Sequence, residues 1–405
     1  MDNEHPALAR KLGLALLTFY GLGNILGAGI YVLVGKVAGS AGYFTPLAFL
    51  VAAAVAGITA LTYAELSSRY PYSAGEAIYI QRGFGFTGLS VITGLLIAAA
   101  GMLSAATMAR GFSGYLQIFT QLPDIWVISL LLISLGALAA WGIAESIRVA
   151  ALFTLIEIFG LILIIQVGSS DLSTFIENFD AIPAFSNSSA WTGVLLGAFL
   201  AFYAFIGFED MVNVAEEVKN PSKTMPRAIF SALIIASILY GLVGLVAVSV
   251  LTPVQLAQSD APLAMVYSVA SGSEPVVITL ISLFAIINGA LIQIIMASRI
   301  FYGMSRQGWL PHSLSQVNQK TQTPVFATIL TTLCVISLAL WFPLIELARY
   351  TSYLILIIFF LVNVALLKIR EKEKAPEGVR TYPMVVPIAG AIGSLLLFTA
   401  QIVLS

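Results

Sequence analysis

Gly23-Asn24-Ile25-Leu26-Gly27-Ala28-Gly29-Ile30-Tyr31 lies inside the first long apolar stretch of this chain, and Phe202-Tyr203-Ala204-Phe205-Ile206-Gly207 lies inside the sixth. The glycines let the backbone leave helical geometry and let a solute come close to it. In lipid, the N–H and C=O groups freed by such a break find no partner, so the broken stretch has to face protein, water or a bound solute. Taken alone, the first stretch fits close helix packing through small residues equally well. Two breaks in corresponding places, five spans apart, point instead to a transport site near the bilayer midplane.

Composition supports the membrane setting. Of 405 residues, 59% are hydrophobic and only 10% charged, and the mean hydropathy is +0.97, far from the range of a soluble domain. A net charge of −1 leaves no polybasic stripe for nucleic acid. The single cysteine, Cys334, can form no intrachain disulfide. The N-terminal apolar stretch shows no A-x-A-type cleavage site, so the first span is expected to be retained.

A helix needs about 20 mainly apolar residues to cross a bilayer. Eleven stretches qualify, at 12–36, 45–66, 86–117, 125–142, 147–167, 191–214, 227–251, 275–304, 323–342, 345–368 and 385–404. With the N-terminus cytoplasmic, the alternation leaves only Lys36, Arg110 and Arg349, out of 19 basic residues, on the outer side, as the positive-inside rule demands. The two longer outer connections, 168–190 and 252–274, carry Asp171, Glu177, Asp180, Asp260 and Glu274 but no Lys or Arg. Five is an odd number of crossings, so a second five-span unit repeating the first must lie inverted. The expected organisation is a first repeat over 12–167, an inverted second repeat over 191–368 and an additional helix at 385–404. Between spans two and three, Ser73-Ala74-Gly75-Glu76 reads as a capping box starting a short interfacial helix.

The breaks suggest complementary chemistry. A half-helix resuming near Ile30 presents unpaired N–H groups and the positive end of its dipole, which suits a carboxylate. An unwound stretch around Ala204 and Gly207 offers carbonyls to an ammonium group, with Phe202, Tyr203, Phe205 and Phe208 as candidate walls.

Gly207-Phe208-Glu209, Glu216-Glu217-Val218-Lys219-Asn220-Pro221 and Met225-Pro226-Arg227-Ala228-Ile229 closely resemble the amino acid–polyamine–organocation transporters, particularly the branch similar to cationic amino acid transporters. Gly27 to Leu33 resembles that family's first-helix motif, the run from Ser298 to Pro311 its eighth-helix ending, and Val379-Arg380 with Tyr382-Pro383 the loop before its eleventh helix. The resemblance implies an all-α, leucine-transporter-type 5+5 inverted-repeat bundle with one extra helix. It implies a substrate carboxylate on backbone matching Gly27, Ala28 and Gly29, flanked by Asn24 and Ile30, and an amino group on carbonyls matching Phe202, Ala204 and Phe205. The family often has Ser where this chain has Ala28.

Glu157 lies about 11 residues, or roughly 16 Å, into span five, near mid-membrane, where ionisable groups are functional by default. Several proton-coupled members of the resembled family carry Lys at the matching position. Glu157 is therefore the expected proton carrier, the alternative being a permanently protonated Glu bonded to a backbone carbonyl, and Glu209 resembles an intracellular gate residue, with its neighbour Asp210 expected in water. Asn288 sits at mid-depth in span eight, where Gly289-Ala290-Leu291 supplies no hydroxyl pair for sodium, favouring proton coupling or exchange.

No cofactor or metal is expected. His5 and His312 lie near water, Cys334 is alone, and no Cys/His set has ligand spacing, which also argues against a membrane enzyme. The reading is a secondary transporter of an amino acid, neutral because few acids face the expected site, in the inner membrane. The rival is a transporter-like sensor or partner subunit that binds without net transport. Oligomeric state stays open.

Overall fold

The computed structural model describes residues 12–72, 75–141, 147–173, 175, 182–184, 186–318, 321 and 323–404. Among these no β-strand forms, and one isolated bridge pairs Leu12 with Val218. Ser73 and Ala74 of the expected capping box lie outside the described residues.

The first span is two helices, α1 (Leu14–Leu26) and α2 (Ala28–Ala41), followed by α3 (Thr45–Arg69), the short α4 (Gly75–Phe84), α5 (Thr87–Leu116), α6 (Asp124–Trp141) and α7 (Ile147–Val167). The second half contains α8 (Ser188–Phe205), a 3-10 segment Glu209–Glu217, α9 (Pro221–Val250), α10 (Pro253–Gln258), α11 (Pro262–Ser271), α12 (Val276–Arg306), α13 (Val325–Trp341), α14 (Leu344–Lys372) and α15 (Val385–Leu404). Each of the eleven expected spans coincides with one of these helices or with a broken pair. Among the described residues, nine helical stretches are long and apolar enough to cross a membrane outright, α2 and α3 counting as one. Two fall short: α1, at 13 residues, is half of a broken span, and α13 stops at 17. The chain is an all-α membrane bundle.

Small residues let the backbones close up. A Cβ added at Gly193 in α8 would lie 2.7 Å from the Ser40 carbonyl at the end of α2, and one at Gly83 in α4 would lie 2.8 Å from Ala365 Cα in α14. In lipid this packing takes the place of a hydrophobic driving force between helices.

Two polar fastenings fix opposite ends of the bundle. At the end rich in basic residues, Glu65 of α3 is fully buried. It takes Arg69 Nη2 at 2.8 Å and Arg370 from α14, and the Tyr382 N–H donates to it at 3.2 Å. A buried carboxylate is tolerable only with such complete pairing. At the other end, the connection between α9 and α12 folds into α10 and α11, with a capping box of Thr252 and Gln255. Lys36 Nζ donates to the Ala257 carbonyl at 2.7 Å, and a Cβ at Gly114 of α5 would lie 2.6 Å from the Asp260 carbonyl. This connection lies flat on the ends of α2 and α5.

Candidate functional site

Both helix interruptions are present. Gly27 has φ −20° and ψ −129° between α1 and α2. After α8, Ile206 is extended and Gly207 takes φ +125°, a conformation that favours glycine. The two breaks lie against each other. A Cβ at Gly29 would sit 2.5 Å from Ala204 Cα, and one at Gly207 would sit 2.6 Å from the Asn24 carbonyl oxygen.

The freed peptide groups have identifiable partners, as buried backbone requires. The Tyr240 hydroxyl, from α9, lies 2.6 Å from the Ile25 carbonyl and 3.0 Å from the Ala204 carbonyl. One hydroxyl proton thus serves one acceptor from each break. The Gly207 N–H donates to the Glu209 carboxylate at 2.9 Å, and Gly27 N–H still reaches Gly23 O at 3.2 Å. No side chain caps the start of α2, whose N-cap is Gly27. Tyr240 was not foreseen because a single tyrosine within an apolar span carries no sequence signature. Its role becomes visible only once α9 crosses both breaks.

The aromatic candidates are placed in packed protein. Phe202 and Phe208 make ring contacts with Phe359, Phe205 packs edge-on against Tyr240, and the Tyr203 hydroxyl pairs with Ser104 Oγ at 3.0 Å. The open space lies on the other side of the second break. A narrow pocket is lined by Ile206, Glu209 and Asp210, by Ile97, Ala100, Gly101 and Ser104 of α5, by Gln293 and Met296 of α12, by Thr351, Ile355 and Ile358 of α14, and by Glu76 of α4. It leads into a vestibule of about 820 Å³ that reaches Tyr20, Arg299, Gln307 and Trp309.

Glu76 and Asp210 therefore join Glu209 at this pocket. Asp210 is 5% exposed and accepts a long hydrogen bond of 3.5 Å from Gln293 Nε2, so it is buried rather than solvated as the sequence suggested. The cause is the 3-10 turn after Gly207, which directs both adjacent acids inward. Glu76 accepts from the Tyr63 hydroxyl at 3.3 Å. Arg69 is committed to Glu65.

Glu157 stands apart from this pocket. It is 1% exposed, and neither carboxyl oxygen has a hydrogen-bond partner. The Tyr31 hydroxyl, from the resumed first span, donates to the Glu157 backbone carbonyl at 2.7 Å, and Asn288 is its polar side-chain neighbour. The Asn288 amide nitrogen and both polar atoms of the Asn24 side chain are also buried without partners. A Cβ at Gly27 would come within 3.9 Å of Gly289 Cα, so span eight reaches the first break beside Asn288. Among the described residues, no three His, Cys, Asp or Glu side chains are close enough to hold a metal ion.

Comparison with known proteins bears on what this geometry serves. The amino acid permease family matches residues 12–405. The cationic amino acid transporter 3, mitochondrial, of Arabidopsis thaliana is 31% identical over 390 residues, covering 91% of this chain and 63% of that protein. The branched-chain amino acid permease BcaP of Bacillus subtilis is 31% identical over 391 residues, covering 91% and 82%. A methylthioribose transporter of the same species is 28% identical over 412 residues, covering 96% and 88%. The chain spans less than two thirds of the plant transporter's length, but most of the length of the two bacterial proteins. These relatives are permeases and transporters, not enzymes.

Proposed function

The chain belongs to the amino acid permease family, and from that premise we propose that it is a secondary active transporter carrying a neutral amino acid across the cytoplasmic membrane by alternating access. The observation that carries this reading is the pair of breaks in the first and sixth spans, bridged by one hydroxyl on Tyr240. Peptide groups at both breaks are held by side chains that a zwitterion can displace, the carboxylate going to the uncapped start of α2 at Gly27, Ala28 and Gly29, and the ammonium to the carbonyls that Tyr240 now occupies. Such half-helix ends are the usual cradle for this kind of solute. The two halves, 12–167 and 191–368, act as inverted repeats around this point.

The vestibule opens beside Arg299, at the end where basic residues gather, and we assign that end to the cytoplasm. The opposite end is closed by α10 and α11, held through Lys36, so the described conformation faces inward. A neutral side chain is supported by the five apolar residues Ile97, Ile206, Met296, Ile355 and Ile358 of the narrow pocket, which Glu76, Glu209 and Asp210 also line. Glu157, buried with both oxygens unpartnered beside the first break, serves as the proton carrier that couples transport.

The test is flux. Purified protein in proteoliposomes is loaded with each of the twenty amino acids in turn and assayed for uptake and exchange, after a thermal-shift screen to select ligands, since binding to the folded state raises apparent stability. Saturable accumulation of a neutral, apolar amino acid is the expected result. Binding without flux would favour a sensor, and no binding by any amino acid would overturn the substrate class.

A further inference from the structure

The start of α9 and the connection that leads into α15 meet at the end where basic residues gather. The rings of Phe230 and Tyr382 pack edge-on at 6.2 Å, and the Arg380 guanidinium lies over the Tyr382 ring, 5.5 Å from its centroid. Arg227 comes one helical turn before Phe230, on the same side of α9. Both arginines are exposed, and none of the described ion pairs includes Arg227, Arg380 or the exposed Glu377 of the same connection. The first turn of α9 carries no acid. The carboxylate whose charge reaches Tyr382 is Glu65, and Arg69 and Arg370 already hold it. The Tyr382 hydroxyl is itself buried without a hydrogen-bond partner, which a folded protein ordinarily avoids. No described acidic side chain pairs with these two cations.

An apolar groove runs on from this corner along the outside of the bundle. α3 lies between α9 and α15: a Cβ at Gly244 of α9 would lie 3.1 Å from the Phe49 ring of α3, and one at Gly393 of α15 would lie 3.9 Å from Val55. Between these two contacts α3 turns Leu50 outward, 54% exposed, and no atom lies within 4 Å of a Cβ at Gly57. Ile234 of α9, two turns beyond Arg227, and Ile392 of α15 are exposed along the two sides. We propose that this corner binds an anionic phospholipid, its phosphate between Arg227 and Arg380 with the Tyr382 hydroxyl as a further donor, and an acyl chain lying along α3 between α9 and α15. Charge selects the headgroup, because guanidinium forks match phosphate oxygens in pairs and basic residues at the membrane surface draw anionic lipid. The groove separates a lipid from free phosphate, which has nothing to lay there. The same helix that meets the headgroup carries Tyr240, ten residues or about 15 Å beyond Phe230, and Tyr240 bridges the two breaks. A lipid that ties the start of α9 to the connection before α15 therefore anchors the helix on which both breaks lean. The site stands whichever solute is carried.

The test is native mass spectrometry of the full chain in detergent, titrated with phosphatidylglycerol or with phosphatidylcholine of the same acyl chains. The quantity read is the lipid concentration at which half of the protein carries one lipid. The wild type is expected to fill with phosphatidylglycerol at a concentration about tenfold lower than with phosphatidylcholine, and Arg227→Gln with Arg380→Gln to raise the phosphatidylglycerol value by about tenfold while leaving the phosphatidylcholine value in place. The control is Arg82→Gln with Arg306→Gln, which removes two other exposed arginines, each also lying over a tyrosine ring; it is expected to keep the wild-type preference. Arg380→Gln alone, in a connection outside the helices, is expected to raise the value by about threefold and carries the test if the double variant does not elute as a monodisperse protein. An equal loss in the two double variants would overturn the site in favour of diffuse attraction to the positive end of the bundle. Equal binding of the two lipids would overturn it in favour of acyl packing alone, and displacement of the lipid by inorganic phosphate would overturn it in favour of a free-anion site. Each of these failures leaves the amino acid flux assay untouched, and failure of that assay leaves the lipid titration readable.

Discussion

Gly29→Ala tests whether the two breaks truly press on each other. The new methyl would sit 2.5 Å from Ala204 Cα and 2.9 Å from Ala204 Cβ, against a comfortable carbon–carbon separation of about 3.5–4.0 Å. The span must therefore move by about 1 Å, and neither neighbour is the end of a flexible side chain. Overpacking of this kind costs about 1–3 kcal/mol. The helix propensity gained on replacing glycine returns up to about 1 kcal/mol, leaving a net loss of up to about 2 kcal/mol when the return is full. Gly57→Ala, on α3, is the internal control: nothing lies within 4 Å of its added Cβ, so only the propensity gain of up to about 1 kcal/mol remains. Both variants are followed by thermal unfolding in one detergent at one scan rate, because membrane proteins of this size unfold irreversibly and only matched scans rank them. The midpoint should fall for Gly29→Ala and hold or rise for Gly57→Ala. If Gly29→Ala matches or exceeds the wild type, the breaks are not in contact and the shared service by Tyr240 loses its basis.

Tyr240→Phe removes the donor shared by the Ile25 and Ala204 carbonyls, and leaving buried acceptors unmet should cost about 1–3 kcal/mol in the same unfolding assay; an unchanged midpoint would show that water replaces the hydroxyl. Glu65→Gln strips the buried charge from Arg69 and Arg370 and should cost about 3–5 kcal/mol, read as loss of folded protein on size-exclusion chromatography, with a mild effect arguing that the pair is solvated. Glu157→Gln keeps size and polarity but cannot carry a proton, so counterflow exchange should persist while accumulation driven by an imposed pH gradient is lost; gradient-driven uptake at the wild-type level would remove Glu157 from the coupling path.

The fold was open to sequence reasoning where physics acts locally. Span length, loop charge and the glycines at 27 and 207 each leave a mark within a few residues, and the helices follow them. What escaped was set by distant contact. Phe202, Phe205 and Phe208 look like pocket walls in sequence, yet Phe359 and Tyr240 fill the space beside them. Asp210 looks solvated in sequence, but it is only 5% exposed where it borders the narrow pocket and the vestibule. Glu76 reads as a helix cap because capping is the nearest chemistry available to it, and nothing in its own segment announces that α4 delivers it to a pocket formed by α5, α12 and α14. The connection 252–274 reads as a loop, while its two short helices are stabilised by docking on α2 and α5 rather than by their own propensity.

The placement of the acids also bears on how a transporter with these parts would work. Glu157 is held between spans five, one and eight, beside the first break, whereas Glu76, Glu209 and Asp210 border the second break and the vestibule. The two sets are joined through few atoms: Tyr240 spans the breaks, and Glu209 holds the second of them. On the proposed reading, a zwitterion entering between the breaks displaces the Tyr240 hydroxyl from at least one of the two carbonyls it serves and so loosens the contact between Gly29 and Ala204. Separation of the breaks then changes the surroundings of both carboxyl sets at once, Glu157 through span one and Glu209 through the Gly207 N–H. Coupling of solute to proton needs no long relay in this arrangement. On the proposed reading it follows from one shared hinge, because the peptide groups proposed to receive the solute also set how deeply each acid is buried.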